Sequence, residues 1–175
     1  MFKNKNVLVT GGTGMIGRQL VDLLLARQAN VTVAAIDKPT GDWDPAATYV
    51  YSDLRQYNDC VEACAGQDYV FHLAGVKASP KMTLEKPASI MVPMLQFNTN
   101  MMAAAQRHNV DWYLYTSSVG VYQPAEILRE DDVWSTHPSD NDLHGGWAKR
   151  MGELQAGAYN IEYGNNNISI VRPAN

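Results

Sequence analysis

Val7-Leu-Val-Thr-Gly-Gly-Thr-Gly-Met-Ile-Gly17 is the stretch of sequence that decides the fold. An apolar run typical of a buried strand leads into a glycine-rich turn, and an amphipathic helix begins inside the turn. Two glycine patterns overlap there, Gly12-x-Gly14-x-x-Gly17 and Gly11-x-x-Gly14-x-x-Gly17. Between a strand and a helix, this spacing predicts a turn that binds the pyrophosphate of a dinucleotide. An ordinary glycine-rich turn is the alternative.

Glycine suits this turn for three physical reasons. The turn has to be tight, its backbone has to approach the pyrophosphate closely, and the helix has to pack near the strand. The helix N-terminus then presents unpaired N–H groups and the positive end of its dipole to the phosphates. The residues predicted to hold the dinucleotide here are Gly11, Gly14, Met15, Ile16 and Gly17.

Strand-like and helix-like segments alternate along the rest of the chain. Runs rich in β-branched and aromatic residues predict strands at 6–10, 31–36, 48–52, 69–73, 112–117 and 168–172. Helical periodicity predicts helices at 15–28, 57–65, 94–108 and 147–163. Because several strands are apolar at nearly every position, they fit a parallel sheet covered on both sides. The alternation predicts one α/β domain over residues 1–175, a Rossmann-type doubly wound parallel sheet of order 3-2-1-4-5-6 with three layers.

Two features of this arrangement lead to the site. The first helix is expected to lie on the sheet through Ile16, Leu20, Leu23 and Leu24. Long loops at 76–93 and 120–142 follow the fourth and fifth strands. Ligands of such sheets bind at the carboxyl ends of the strands, so we expect these loops to be functional.

Asp37 ends the second strand, twenty residues after Gly17. At that spacing a carboxylate accepts hydrogen bonds from the adenosine ribose hydroxyls. It also repels a 2′-phosphate, so NAD is favoured over NADP, although Lys38 partly neutralises the charge. The alternative is a solvated loop aspartate.

Composition narrows the class of protein. The 175 residues suffice for one domain with a core, and 46% hydrophobic with 18% charged residues is typical of a soluble globular protein. A net charge of -4 without any basic run argues against a nucleic-acid partner. The sequence has neither a secretory signal nor a run long enough to span a membrane. Cys60 and Cys64 are expected to be buried thiols of a reducing compartment, the cytoplasm, and no metal site is expected.

Later motifs complete the pattern. They are Ser52-Asp-Leu54, His72-Leu-Ala-Gly75, Tyr115-Thr-Ser-Ser-Val-Gly-Val-Tyr122, Trp147-Ala-Lys-Arg-Met-Gly-Glu153 and Val171-Arg-Pro-Ala-Asn175. With these in order, the chain resembles the extended short-chain dehydrogenases/reductases, the group of NAD-dependent sugar-nucleotide epimerases and dehydratases. The resemblance runs from Val7 to Asn175.

The resemblance implies roles for particular residues. Asp53 and Leu54 would lie near the adenine, and Leu73, Ala74 and Gly75 beside the cofactor ribose. Ser118 and Lys149 would act in catalysis, with Lys149 also bridging the nicotinamide ribose hydroxyls. Pro173 would belong to the segment that closes over the nicotinamide. Each position also has a structural interpretation. Ser117 and Ser118 would end a strand, Asp53 would cap a helix, and Lys149 would be solvated.

One position departs from the family's pattern. The family carries a tyrosine four residues before the lysine, and here that position is Gly145. The neighbouring ammonium lowers the pKa of such a phenol, which then accepts a proton from the substrate hydroxyl. His144 is the nearest titratable candidate to replace it, with Tyr122 and His137 as further candidates. Because Gly145 and Gly146 are poor helix formers, we expect the helix to begin at about Trp147.

The implied activity is reversible hydride transfer with a nucleotide-sugar substrate, by an epimerase or dehydratase. In that family a smaller C-terminal substrate domain follows, and it is absent from this sequence. The resemblance also implies a homodimer through helices 94–108 and 147–163. The face expected to meet the partner contains Ala148, Gly152, Gln155, Tyr159 and Tyr163. The face expected to cover the sheet contains Trp147, Met151, Leu154 and Ile161.

Two alternatives stay open. Loss of the tyrosine at Gly145 is also compatible with a non-catalytic dinucleotide-binding protein, a sensor or a structural subunit. An S-adenosylmethionine-dependent methyltransferase also uses a glycine-rich first turn and an acidic residue after its second strand. Ser118, Lys149 and Arg172-Pro173 fit that second alternative poorly.

Overall fold

The computed structural model describes residues 1–41, 43–76, 78–164 and 167–174, and it contains one six-stranded parallel sheet. The strands are β1 Asn6–Thr10, β2 Asn30–Ala35, β3 Thr48–Tyr51, β4 Tyr69–His72, β5 Trp112–Thr116 and β6 Ile168–Val171. Their spatial order is β3-β2-β1-β4-β5-β6, and every neighbouring pair is parallel. The predicted α/β fold and strand order are therefore confirmed.

Within the described residues, five α-helices connect and cover the strands. They are α1 Met15–Ala26, α2 Tyr57–Cys64, α3 Pro80–Glu85, α4 Pro87–Arg107 and α5 Leu143–Tyr163. Short 3₁₀ turns occupy Val119–Val121, Glu130–Trp134 and Asp140–Asp142. The sheet has a core on each face, because successive strand residues point to opposite sides. Val7 and Val9 of β1 pack in the cluster that includes α1, whereas Leu8 packs in the cluster that includes α2, α4 and α5.

The prediction of one continuous loop over residues 76–93 is wrong. Helix α3 forms there because Ser79 caps it, its side chain accepting a hydrogen bond from the Met82 amide at 3.2 Å, and Pro80 occupies the first turn. A second proline, Pro87, starts α4 ahead of the predicted residue 94. Pro93 lies inside α4, although a proline in the interior of a helix usually breaks or kinks it, so the sequence did not indicate a helix that continues through this residue.

The predicted buried face of α1 is only partly correct. The buried residues are Gly17, Val21 and Leu24, while Ile16 and Leu23 are 55% and 58% exposed. The helix turns this way because a Cβ at residue 17 would collide with the backbone of the glycine turn. A glycine thus brings α1 against the turn and determines which leucines reach the sheet.

The prediction of which face of α5 covers the sheet is wrong. Ala148, Gly152 and Ala156 are buried, and a Cβ at Gly152 would collide with the ring and hydroxyl of Tyr115 on β5. The apolar residues expected on the sheet are outside instead, with Leu154 55% exposed and Ile161 88% exposed. Small residues cover the sheet because they allow the helix to approach it closely.

Helix α5 also begins earlier than predicted, at Leu143, and contains Gly145 and Gly146. Packing outweighs helix propensity here. A Cβ at Gly146 would lie 2.5 Å from the Gly120 carbonyl oxygen and 2.7 Å from the Pro138 side chain. The glycine pair therefore lets the first turn of α5 lie against the 3₁₀ turn that follows β5.

The remaining general predictions concern cysteines, metals and membranes. Cys60 and Cys64 are free and buried, as expected, and burial raises the pKa of each thiol to about 12. Within the described ranges no group of three or more His, Cys, Asp or Glu side chains is placed to hold a metal ion. None of the described helices is both long and apolar enough to cross a bilayer.

Candidate functional site

A cleft of about 410 Å³ opens at the carboxyl edge of the sheet. It is bounded by the glycine turn after β1, the ends of β2 and β3, the loop after β4 and the start of α4. The lining residues are Gly11, Thr13, Ala34, Ala35, Ile36, Asp37, Ser52, Asp53, Leu54, Arg55, Ala74, Gly75, Val76, Ser89, Pro93 and Phe97. Segments distant in sequence converge here because parallel strands end at the same edge.

A larger, open depression of about 1020 Å³ lies at the opposite edge, beside Asn6, Asn30 and Thr48. Those residues begin their strands. Sheets of this kind bind ligands at the carboxyl ends of their strands, so we place the site in the smaller cleft.

The glycine turn forms the phosphate end of the cleft. Gly11 has φ +65°, and a Cβ there would lie 3.0 Å from the Ala74 backbone. Gly14 precedes α1 as its N-cap, in an extended conformation. In this described stretch no side chain caps α1 and no acidic residue occupies its first turn, so its first N–H groups face the cleft's edge without a competing anion. These features fit a pyrophosphate.

Asp37 lies where the sequence predicts, exposed and lining the cleft just after β2. Asp53 also lines the cleft, but its carboxylate pairs with Arg55 through two hydrogen bonds of 2.8 and 2.7 Å. The Arg55 hydrogen bond lowers the pKa of the Asp53 carboxyl. Helix α2 is preceded by Gln56, so Asp53 is not its N-cap. Leu54 is buried beside it and forms part of the cleft wall.

The loop after β4 lies against the glycine turn. The Leu73 and Ala74 amides donate to the carbonyl and hydroxyl oxygens of Thr10, each at 3.2 Å. Ala74 and Gly75 line the cleft, whereas Leu73 packs on the core shared by β1, β2 and α1. Two of the three residues predicted here are therefore at the cleft surface.

A buried hydrogen-bonded chain runs beneath the site and was not predicted. The Thr10 hydroxyl bonds to His72 Nδ1 at 2.8 Å, and His72 Nε2 bonds to the side-chain carbonyl oxygen of Asn98 at 3.0 Å. The Asn98 side-chain amide donates to the Tyr115 hydroxyl at 3.0 Å, which donates to the Lys149 carbonyl oxygen at 3.2 Å. Burial lowers the pKa of His72 to about 3, so the ring is neutral. This series of hydrogen bonds connects β1, β4, α4, β5 and α5.

Lys149 is 8% exposed and sits over the Tyr115 ring, 5.4 Å from its centroid. Its Nζ donates to the Thr116 carbonyl oxygen at 2.7 Å. Burial lowers the pKa of the ammonium to about 8, and the negative charge of Asp142 opposes part of that shift. The interpretation of Lys149 as a solvated helix residue is therefore wrong. A buried lysine that titrates near neutrality is typical of a functional site.

The two serines after β5 have different environments. Ser117 donates to Glu153 Oε1 at 2.5 Å, and Glu153 also pairs bidentately with Arg172 at 2.9 and 2.7 Å. Ser118 is half-buried, and its Oγ accepts a hydrogen bond from the Gly120 amide at 3.0 Å. Pro173 lies close by, because its carbonyl oxygen accepts from the Val119 amide at 3.0 Å.

An aspartate occupies the space beside Gly145. A Cβ at Gly145 would collide with Asp142 Oδ1, and a Cβ at Gly120 would lie 2.6 Å from Asp142 Oδ2 and 3.4 Å from Ser118 Oγ. Burial raises the pKa of the Asp142 carboxyl, and the charge of Lys149 lowers it in part. The structure therefore brings Ser118, Gly145, Lys149 and Asp142 together. The available signal was an aspartate three residues before Gly145, the spacing at which an N-cap side chain lies beside the third residue of a helix, but the helix was predicted to start later.

The substitutes proposed for the phenol have other surroundings. His144 is exposed on the first turn of α5, and His137 packs edge-on against Trp147 with ring centroids 6.1 Å apart. The Tyr122 hydroxyl bonds to Arg172 Nη1 at 3.0 Å. The side-chain atoms nearest to a Cβ at Gly145 belong instead to Asp142, which was not proposed from the sequence.

Comparisons with known proteins agree with this geometry. The profile of the NAD dependent epimerase/dehydratase family matches residues 7–175. The N-acetyl-alpha-D-glucosaminyl-diphospho-ditrans,octacis-undecaprenol 4-epimerase of Escherichia coli O157:H7 is 28% identical over 97% of this chain and 48% of its own length. The structure of UDP-glucose 4-epimerase from Thermus thermophilus, in complex with NAD, superposes with a TM-score of 0.78 at 27% identity, covering 95% of this chain and 54% of that one.

Other relatives give the same match and the same partial coverage. An epimerase from Methanothermobacter thermautotrophicus superposes with a TM-score of 0.84 at 24% identity, covering 98% of this chain and 52% of that one, which shows the shared fold. An epimerase family protein of Staphylococcus saprophyticus is 29% identical over 78% of this chain and 45% of its own length. The chain thus spans about half the length of these relatives. With its sequence matched from Val7 onward, the chain belongs to the NAD dependent epimerase/dehydratase family.

Proposed function

We propose that residues 1–175 form a dinucleotide-binding domain that holds NAD, and that the protein catalyses reversible hydride transfer on a hydroxyl of a nucleotide sugar. The observation that carries this proposal is the cleft itself. Gly11 of the glycine turn and an exposed Asp37 line it together, and the turn leads directly into a helix whose start has no side-chain cap. Bound NAD would supply the hydride acceptor. Relatives named for nucleotide sugars, such as UDP-glucose 4-epimerase, support the substrate class.

We assign a part of the cofactor to each group of predicted site residues, both those that line the cleft and those beyond it. The backbone of Gly11, Gly14, Met15, Ile16 and Gly17 would hold the pyrophosphate. Asp37 would accept from the adenosine ribose, with Leu54, Asp53 and its partner Arg55 at the adenine end and Ala74 and Gly75 along the dinucleotide. Lys149 would bind the nicotinamide ribose hydroxyls, and Ser118 would orient the substrate hydroxyl. Pro173, beside the turn that follows Ser118, would border the nicotinamide.

The preference for NAD follows from Asp37. An exposed carboxylate at the ribose end repels a 2′-phosphate, and like charges brought together cost several kcal/mol. Titration calorimetry of the chain should show NAD bound on the order of tenfold or more tightly than NADP. Asp37→Ala should narrow that ratio, whereas Asp22→Ala, an exposed aspartate on α1 outside the cleft, should leave it unchanged. Equal or tighter binding of NADP by the wild-type chain would refute the preference.

Gly145 favours a second candidate function, a dinucleotide-binding protein without catalysis. In that case NAD binds, and no nucleotide sugar is oxidised by any form of the protein. Incubation with NAD and UDP-glucose separates the two, because turnover requires a group that accepts the hydroxyl proton.

We also propose that the protein is a homodimer located in the cytoplasm. Helices α4 and α5 pack side by side, and α5 exposes Met151, Leu154 and Ile161. An exposed apolar stripe on a helix favours a protein–protein contact. Two free, buried cysteines are compatible with a reducing compartment.

A further inference from the structure

We propose that Asp142 takes the place of the missing tyrosine and is the group that accepts the proton of the substrate hydroxyl. This inference rests on the proposed oxidoreductase function and names the base of the same site. It concerns a residue outside all the motifs that relate this chain to its family. The family's pattern leaves Gly145 without a base, and the carboxylate of Asp142, the N-cap residue of α5, fills the space that a side chain at residue 145 would enter.

The position of the carboxylate is defined by two glycines from different segments. Gly120 follows β5, and Gly145 lies in the first turn of α5. A side chain at either position would meet the oxygens of Asp142, Oδ1 at residue 145 and Oδ2 at residue 120. Both glycines therefore leave room for one carboxylate. Ser118 Oγ borders the same space, 3.4 Å from the point that a Cβ at Gly120 would occupy.

The surroundings suit a proton acceptor. Among the described charged side chains of α3, α5 and the 3₁₀ turns around it, Lys149 is the one whose charge acts on the Asp142 carboxyl. On α3, which packs against the 140–142 turn, Lys81 and Glu85 are exposed and pair with each other at 3.9 Å. Partial burial raises the pKa of Asp142, and a nearby cation keeps the ionised form accessible. A base of raised pKa beside a lysine of lowered pKa is the arrangement expected for proton transfer.

Proton and hydride leave the substrate in one balanced oxidation. The substrate O–H bond breaks and its proton bonds to an oxygen of Asp142. The electron pair left on the substrate oxygen forms the carbonyl bond, while the hydrogen on the adjacent carbon leaves as hydride to the nicotinamide of NAD, the oxidant. In the reverse direction the protonated Asp142 returns the proton. Lys149 stabilises the charged form of Asp142, and Ser118 donates to the substrate oxygen.

The first test needs no turnover. Carboxyl-carbon NMR titration of the 175-residue chain should show Asp142 titrating above the ordinary value for aspartate. Lys149→Met should raise the pKa of Asp142 further, because a cation is lost. Reciprocally, Asp142→Asn should lower the pKa of Lys149 below about 8, because an anion is lost. An Asp142 that titrates at the ordinary value and does not respond to Lys149→Met would overturn the proposal.

The second test measures NADH formation from NAD with UDP-glucose as the probe. Asp142→Asn should slow the reaction by about 10²–10⁴-fold. Asp140→Asn is the matched control, because Asp140 is exposed on the same 3₁₀ turn, and it should leave the rate unchanged. A normal rate for Asp142→Asn would also overturn the proposal. Failure of the wild-type chain to oxidise the probe counts against the proposed oxidoreductase function, whereas the NMR titrations test the coupling of Asp142 to Lys149 independently of it.

Discussion

Three buried or half-buried titratable side chains give this site its chemistry, and burial shifts the pKa of each away from its ordinary value. His72 loses proton affinity and stays neutral, Lys149 titrates at about 8, and the pKa of the Asp142 carboxyl rises. The pKa falls for His72 and Lys149 and rises for Asp142, but the cause is the same, because a low-dielectric environment favours the neutral form of each group. Lys149 and Asp142 partly compensate each other.

Because His72 is buried and neutral, we expect the free energy of unfolding to fall in acid. Its pKa is about 3 in the folded protein against 6.5 for an ordinary histidine, so between these values the unfolded state binds more protons. The free energy of unfolding therefore falls as pH drops through 6.5 towards 3, by up to about 1.4 kcal/mol per pH unit from this one group. Denaturant unfolding of His72→Gln across that range should show a shallower pH slope than wild type.

The control for that experiment is His144→Gln, which also removes one histidine but an exposed one. Glutamine at residue 72 retains a donor and an acceptor for Asn98 and Thr10. Comparing slopes separates the loss of titration from any change in overall stability. Equal slopes for wild type and His72→Gln would show that His72 is protonated in the folded protein at moderately acidic pH.

The sequence predicts which residue departs from the family's catalytic pattern, but it does not predict which side chain lies in the space that this departure leaves. Counting back from Lys149 identifies Gly145 as the residue where a phenol is expected. Asp142 escapes the same reasoning, because the low helix propensity of glycine argues against a helix that starts at residue 143, and without that start Asp142 is not recognised as its N-cap. The polar chain through Thr10 and Asn98 is also invisible, since its members belong to separate elements.

Hydrophobic periodicity predicts where the helices lie better than it predicts which of their faces are buried. It predicts four of the five helices but assigns their faces poorly, because it counts large apolar residues. In α5 the contact with the sheet is made by Ala148, Gly152 and Ala156. These small residues let the helix approach the sheet closely, and a hydrophobicity pattern does not detect that property. In α1 a buried Gly17 has the same effect.

Glycine at residue 152 is therefore expected to be required for packing. Gly152→Ala places a Cβ against the ring of Tyr115, which is fully buried, and should destabilise the protein by about 1–3 kcal/mol in denaturant unfolding. Gly157→Ala is the matched control in the same helix, because nothing lies within 4 Å of its Cβ. That substitution should stabilise by about 0.5–1 kcal/mol. Similar effects of the two would contradict the packing described for α5.

For the whole molecule, hydrophobic patterning predicts the sheet well. All six strands are found where runs of β-branched and aromatic residues occur. The central strand β1 is buried at four of its five positions, because both faces of the sheet are covered there. Strand order follows from the rules for crossover connections. Patterning does not predict the surface for assembly. Met151, Leu154 and Ile161 of α5 are exposed rather than packed on the sheet, so the proposed partner surface now contains them.

Leu154→Glu tests the proposed homodimer on that surface. A buried, unpaired carboxylate in an apolar contact is costly, so the variant should sediment as a monomer where the wild type sediments as a dimer. Ile127→Glu is the control, because Ile127 is an exposed apolar residue outside these helices, and it should not change the sedimentation. A wild-type chain that stays monomeric at every concentration in analytical ultracentrifugation would refute the dimer.

Calorimetric titration of the chain with NAD, compared with S-adenosylmethionine, tests directly whether the cleft is a dinucleotide site. Gly11→Ala and Gly66→Ala form a matched pair, because both glycines have positive φ and only Gly11 lies in the cleft. We predict one NAD site with an affinity on the order of micromolar, weakened by Gly11→Ala and unaffected by Gly66→Ala. No binding of NAD, or tighter binding of S-adenosylmethionine, would contradict the assignment of the cleft as a dinucleotide site.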